Sequence, residues 1–261
     1  MFDLTGKNAL VCGSTHGIGK ACAIALAQRG VTVTLLARNL DLLTCVCAEL
    51  PTDHGQTHNF IQADFNDYEQ VRERAELHLK ENNPIHILIN NTGGPPAGPA
   101  LQADPAAFAD GFALHLLCNQ VLVQAVTPGM KEANFGRIIN IISTSVISPI
   151  KGLGVSNAIR GAVANWARTL AAELGPYNIT VNNLLPGFVA TERLNSLIQK
   201  WATNAGKTTD TIEREKKQTI PAGRFADPSE IAAAAAFLSS PAASYINGVN
   251  LPVDGGRLAT Q

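Results

Sequence analysis

Ala9-Leu10-Val11-Cys12-Gly13-Ser14-Thr15-His16-Gly17-Ile18-Gly19 decides how the rest of the chain is read. An apolar run becomes a glycine-spaced turn, and the turn opens the alanine-rich segment 20–28. The pattern predicts a strand, a tight loop and a helix N-terminus. Gly13 serves the sharp turn, Gly17 leaves room for a pyrophosphate, and Gly19 lets helix and strand approach closely. The first amides of such a helix present unpaired donors, which makes Gly13 through Gly19 (with Ser14, Thr15, His16 and Ile18 between the glycines) candidate phosphate contacts. An ordinary structural turn fits the same letters. Its place in the first strand-to-helix crossover favours a dinucleotide.

Working outward, strand-like runs at 8–12, 32–36, 58–61, 85–90, 137–142, 180–185 and 249–253 alternate with helix-compatible segments near 17–29, 40–49, 66–82, 105–131, 155–174 and 228–239. Several strand runs are apolar throughout, as strands covered on both faces should be. The expected fold is α/β: a single doubly wound Rossmann domain over residues 1–261, with about seven parallel strands and helices on both faces. Residues 192–222 read as an insertion over the substrate site, with Leu194, Leu197, Ile198 and Trp201 on an apolar face and Arg214, Lys216 and Lys217 adding charge. A solvent-facing helical hairpin fits that stretch equally well.

Composition narrows the class. At 261 residues the chain is long enough for one large core, and a net charge of −1 leaves no footprint for nucleic acid or a membrane surface. No run of about 18 uncharged apolar residues is present, so no membrane span is expected. The five cysteines, odd in number and mostly in apolar segments, read as core residues of a reducing, cytoplasmic protein. Cys45-x-Cys47 has the wrong spacing for a metal or redox pair, and no metal site is expected.

After the second strand, at the position where an acid would hold the ribose hydroxyls of NAD, the chain has Ala37 and then Arg38. A guanidinium suits a 2′-phosphate, which favours NADP, though a solvated arginine at a helix start has the same appearance. Asp64 follows the third strand and fits a cap for the helix beginning near Asn66. Asn90-Asn91-Thr92-Gly93 ends the fourth strand. Both lie at the sheet edge where open α/β folds bind ligands.

Together these residues resemble the short-chain dehydrogenase/reductase family over the whole chain. Cys12-Gly13-x3-Gly17-x-Gly19 is similar to its TGxxxGxG loop, with Cys12 for the usual threonine, and Asn90-Asn91-Thr92-Gly93 is similar to NNAG. Asp64 stands where the family contacts adenine. Asn140-Ile141-Ile142-Ser143 resembles the strand that delivers the catalytic serine. Pro186-Gly187-Phe188-Val189-Ala190-Thr191 resembles the segment that closes over the nicotinamide. Gly223-Arg224-x3-Pro228-x-Glu230-Ile231-Ala232 and Val253-Asp254-Gly255-Gly256 resemble the branch containing 3-oxoacyl-[acyl-carrier-protein] reductases. The resemblance implies NADP(H) held by the glycine loop, Arg38, Asp64, Asn91, Gly93, Arg160, Pro186, Gly187, Val189 and Thr191. It implies hydride exchange with a small carbonyl or alcohol, and a homotetramer or homodimer formed through 105–131, 155–174 and the last strand.

The catalytic positions depart from the family. Its tyrosine lies 13 residues after the serine and its lysine four further on; counting from Ser143 gives Ser156 and Arg160. The helical register agrees, since Ile159, Val163, Trp166, Leu170 and Leu174 make one apolar face and Ser156 and Arg160 share another. The family's helical asparagine falls on His115. The expected set is therefore His115, Ser143, Ser156 and Arg160. A phenol near pKa 10 can be tuned as an acid, a serine hydroxyl far less so, and a guanidinium does not release its proton. One replacement route has the two serines and Arg160 hold the developing alkoxide while a water at His115 supplies the proton. Plain structural roles compete: His115 as a core histidine, Ser156 as a helix cap. A cofactor-binding protein without turnover is the alternative function. Non-redox chemistry on the same scaffold finds no carboxylate pair.

Overall fold

The computed structural model describes residues 3–260. Its strands are β1 (Asn8–Cys12), β2 (Thr32–Ala37), β3 (Asn59–Gln62), β4 (Ile87–Asn90), β5 (Gly136–Ile141), β6 (Ile179–Pro186) and β7 (Asn250–Val253). All pair in parallel, in the order β3-β2-β1-β4-β5-β6-β7. The order reverses between β1 and β4, and a crevice opens there at the strands' C-terminal ends.

The apolar strand runs are explained by two cores. On one face α1 (Gly17–Ala27), α2 (Leu40–Glu49) and α9 (Pro228–Ser239) cover Val11, Leu35, Ile89 and Ile139. On the other, α3 (Tyr68–Glu81), α5 (Cys118–Glu132) and α6 (Gly154–Leu174) cover Leu10, Leu88, Ile138 and Val181. Alternate residues of one strand thus enter different cores, leaving no solvent face to be polar.

Helix starts follow side-chain chemistry. Asn39 caps α2, Asp227 and Glu230 form a capping box on α9, and Asp104 with Pro105 starts α4 (Pro105–Phe112). The cap of α3 is Asp67, accepting from the Gln70 amide at 3.0 Å, and not Asp64 as the sequence suggests. Asp64 instead accepts from the Asn66 amide, which folds the approach to that cap.

The stretch read as one helix over 105–131 is interrupted by a π-helical turn, Ala113–Leu117, between α4 and α5. At 28 residues this run is long and apolar enough to cross a membrane by length and composition alone. Here it lies along the sheet, with Cys118, Leu122, Val126 and Met130 buried in the second core. Residues 192–222 hold α7 (Glu192–Ala205) and α8 (Thr209–Gln218), capped by Thr191 and Thr208. They are a hairpin and a cover at once: Leu194, Ile198, Ala202 and Ile212 pack together, and Phe188 and Phe225 close the base.

Candidate active site at the sheet switch point

The β1 loop, the ends of β4, β5 and β6, and the first turns of α6 and α7 enclose a cavity of about 420 Å³. Gly13 and Gly17 carry φ of +56° and +51°, which an L side chain rarely adopts. A Cβ on Gly13 would lie 2.7 Å from Asn91, and one on Gly19 would collide with the Gly13 carbonyl. Asn91 locks the turn by donating Nδ2 to the carbonyls of Cys12 and Gly13. Unlike α2, α3, α4 and α9, α1 has no side-chain cap: His16 precedes it without bonding its amides. Those donors remain for a ligand.

Gly13, His16, Gly17, Ile18, Asn91, Gly93, Arg160, Pro186, Gly187, Val189 and Thr191 line this one cavity, as do Ser143 and Ser156. Five expected cofactor residues stand outside the lining: Gly19, packed against the Gly13 carbonyl, and Ser14, Thr15, Arg38 and Asp64. Ser14 is fully buried and donates to the Leu36 carbonyl, so its side chain ties β1 to β2 instead of facing a phosphate. Thr15 bonds the His16 ring. Arg38 is exposed at the end of β2, and Asp64 lies beyond β3.

Ser156 is not the cap of α6; that place belongs to Leu153, and Ser156 sits in the first turn, buried, against the cavity. Arg160, one turn on, donates Nη1 to the carbonyls of Ile141 and Ile142 at 3.0 and 2.9 Å. Its Nε points to Ser156 Oγ at 3.4 Å. Burial, with Arg193 nearby, pushes this guanidinium down to about 10, still a cation at neutral pH. Ser143 begins the turn after β5 and accepts from the Ser145 amide at 3.0 Å, leaving its hydroxyl proton free to donate. No tyrosine or lysine is among the described residues lining the cavity.

His115 occupies the π turn, 4% exposed and behind the cavity wall. Burial first, then Arg160, push its pKa down to about 3, against the opposing pull of a hydrogen bond to the Gly93 backbone; Nε2 has no partner. It is a neutral imidazole at physiological pH. The expected route, in which a water at His115 supplies the proton, is corrected accordingly: His115 is not in the cavity lining, and an imidazole that does not charge cannot make such a water acidic.

Two features escape the sequence. Asn90, Asn140, Asn183 and Asn250 share one register across β4, β5, β6 and β7 and form an amide ladder with links of 2.8, 2.9 and 2.8 Å, ending on an unpartnered Asn90 Oδ1. The second is Arg193, which reaches from α7 to the Pro95 carbonyl. Its one signal in the sequence is a cation in the first turn of a helix, the unfavourable end of the dipole.

A glycine cradle and uncapped helix at the switch point of a doubly wound sheet, with hydroxyls and a guanidinium facing them, define a dinucleotide-binding oxidoreductase scaffold. Residues 13–257 match the family described as enoyl-(acyl carrier protein) reductase. D-threitol dehydrogenase of Mycolicibacterium smegmatis is 34% identical, covering 98% of this chain and 94% of the relative. The 5-keto-D-gluconate 5-reductase of Escherichia coli is 32% identical over 99% and 98%. L-sorbose reductase of Gluconobacter frateurii, solved with NADPH and L-sorbose, superposes with a TM-score of 0.92 at 28% identity, covering 100% of this chain and 99% of that one. The chain belongs to the short-chain dehydrogenase/reductase family.

Proposed function

We propose that this protein is an NADP(H)-dependent oxidoreductase exchanging hydride with a small carbonyl or alcohol, with Ser143 in the usual serine position and Ser156 and Arg160 in place of the usual tyrosine and lysine. The observation that carries this reading is one cavity lined by both the glycine cradle and those three side chains. The cradle fits a dinucleotide: Cβ atoms are excluded at Gly13 and Gly19, and the α1 amides lack a cap. Arg38 at the end of β2 favours a 2′-phosphate over a bare ribose.

NADPH bound there would supply the hydride. The chain's own residues then do three things. Arg160, clamped to the end of β5, holds a fixed positive charge beside Ser156. Ser143 and Ser156 donate hydrogen bonds to the oxygen on which negative charge develops. The fold holds substrate and cofactor in register, and proximity of this kind supplies about 7–11 kcal/mol of barrier reduction. Solvent at the cavity mouth provides the proton. Loss of a positioned acid costs about 10²- to 10⁴-fold in rate, so turnover is slow. His115 acts as a positioning residue for the Gly93 loop.

The finer parts of this reading have separate supports. The segments at 223–232 and 253–256 support kinship with 3-oxoacyl-[acyl-carrier-protein] reductases. Half-buried Leu116, Trp166 and Leu170 leave apolar surface that supports a homotetramer, and light scattering giving a monomer mass would refute it. Free buried Cys12, Cys22 and Cys118 support a cytoplasmic setting. NADPH oxidation across aldehydes, diketones, sugar ketones and 3-oxoacyl thioesters tests the function. Oxidation with at least one class, and about tenfold weaker NADPH affinity but unchanged NADH affinity in Arg38→Ala, is the expected result. Tight NADPH binding with no oxidation of any class favours a regulatory protein without turnover.

A further inference from the structure

Two guanidiniums, Arg160 and Arg193, line the same cavity, and neither is in an ion pair among the described residues. Arg193 comes from the cover. Its Nη2 donates to the Pro95 carbonyl at 2.7 Å and packs on Gly94, where a Cβ would come within 3.1 Å. That single bond fixes the head of the side chain and leaves the other N–H groups of the fork unspent. Glu192, the acidic side chain in the lining, is exposed and pairs with neither arginine. The two cations oppose each other, since the Arg193 charge lowers the affinity of Arg160 for its own proton and both arginines disfavour charge on His115. A site holding unneutralised like charges gains from an anion between or beside them.

The position of Arg193 separates it from the phosphate cradle. Thr191 faces the glycine loop, where a Cβ on Gly17 would lie 3.1 Å from its methyl group. Arg193, two residues on, turns to Pro95 instead. The cavity lining also holds the apolar side chains Ile150, Leu153, Leu197 and Trp201. An apolar chamber with one forked cation at its rim suits a short carbon chain ending in a carboxylate.

We infer that the substrate is a small oxo- or hydroxy-acid whose carboxylate is taken by Arg193 while its carbonyl faces Ser143, Ser156 and Arg160. This rests on the oxidoreductase reading above and narrows it to anionic substrates. Malonate and dimethyl malonate, titrated by calorimetry into the NADP⁺-saturated protein, test it. Malonate should bind at least about tenfold tighter than the ester, a difference abolished in Arg193→Gln and partly kept in Arg193→Lys, with NADP⁺ affinity held within about twofold. Equal binding of ester and acid overturns the proposal. So does a tenfold loss of NADP⁺ affinity in Arg193→Gln, which would give the guanidinium to a cofactor phosphate. If the wild-type protein fails to bind NADP⁺, the oxidoreductase reading falls and the substrate assignment with it, and the same malonate comparison on the cofactor-free protein then decides only whether Arg193 takes a carboxylate.

Discussion

At the scale of single residues, the proposed site rests on His115, Ser156 and Arg160, and their consequences differ. Ser156 and Arg160 retain hydrogen-bond donors where proton transfer is expected in relatives, and both positions follow from counting along the chain from Ser143. What counting does not give is their surroundings. Arg160 is anchored by two β5 carbonyls, and His115 is stripped of water, because residues far apart in sequence close around them. That environment sets the chemistry of His115. Its folded pKa, pushed down to about 3, lies below the roughly 6.5 of an unfolded histidine, so acid protonates the unfolded chain first. The stabilising contribution is present above pH 6.5 and is lost as pH falls toward 3, at about 1 kcal/mol per pH unit. Urea unfolding from pH 7 to 5 should therefore show a steeper loss for the wild type than for His115→Asn. Parallel curves would show that His115 is not held neutral by the fold.

Elements were legible where their reasons are local. Strands buried on both faces announce themselves as apolar runs, and β1, β2, β5 and β6 lie within a residue or two of the predicted stretches. Caps and interruptions were harder. The letters point to Asp64 as a cap, yet it is Asp67 that accepts from the Gln70 amide, while the Asp64 amide donates to the Gln70 side chain. The π turn inside the 105–132 run has no breaker residue at its position, since Pro128 lies well beyond it. The asparagine ladder depends on register, which sequence does not encode in any one strand. Because Asn140 both donates and accepts within the sheet, Asn140→Ala strands the Asn90 amide and the Asn183 carbonyl in the core. About 3 kcal/mol of stability should be lost, read from denaturant midpoints at constant slope. A loss under about 1 kcal/mol would mean the ladder is replaceable by packing alone.

For the whole molecule, the sheet order and the location of its crevice follow from regular βα alternation, while the charge inside the crevice does not. Arg193 lies in a segment whose letters fit either a cover or a free hairpin, and only the folded chain turns it toward Pro95. The central claim is that an intact dinucleotide cradle faces a reacting end without a titrating acid. The pH dependence of single-turnover NADPH oxidation, with an oxo-acid substrate, tests it most directly. Arg160 stays charged below about 10, His115 stays neutral above about 3, and serine hydroxyls do not ionise in between. The hydride-transfer rate should therefore be flat from about pH 6 to 9. An inflection in that window, marking a tuned proton donor at the site, or the absence of any oxidation at all, would contradict the account.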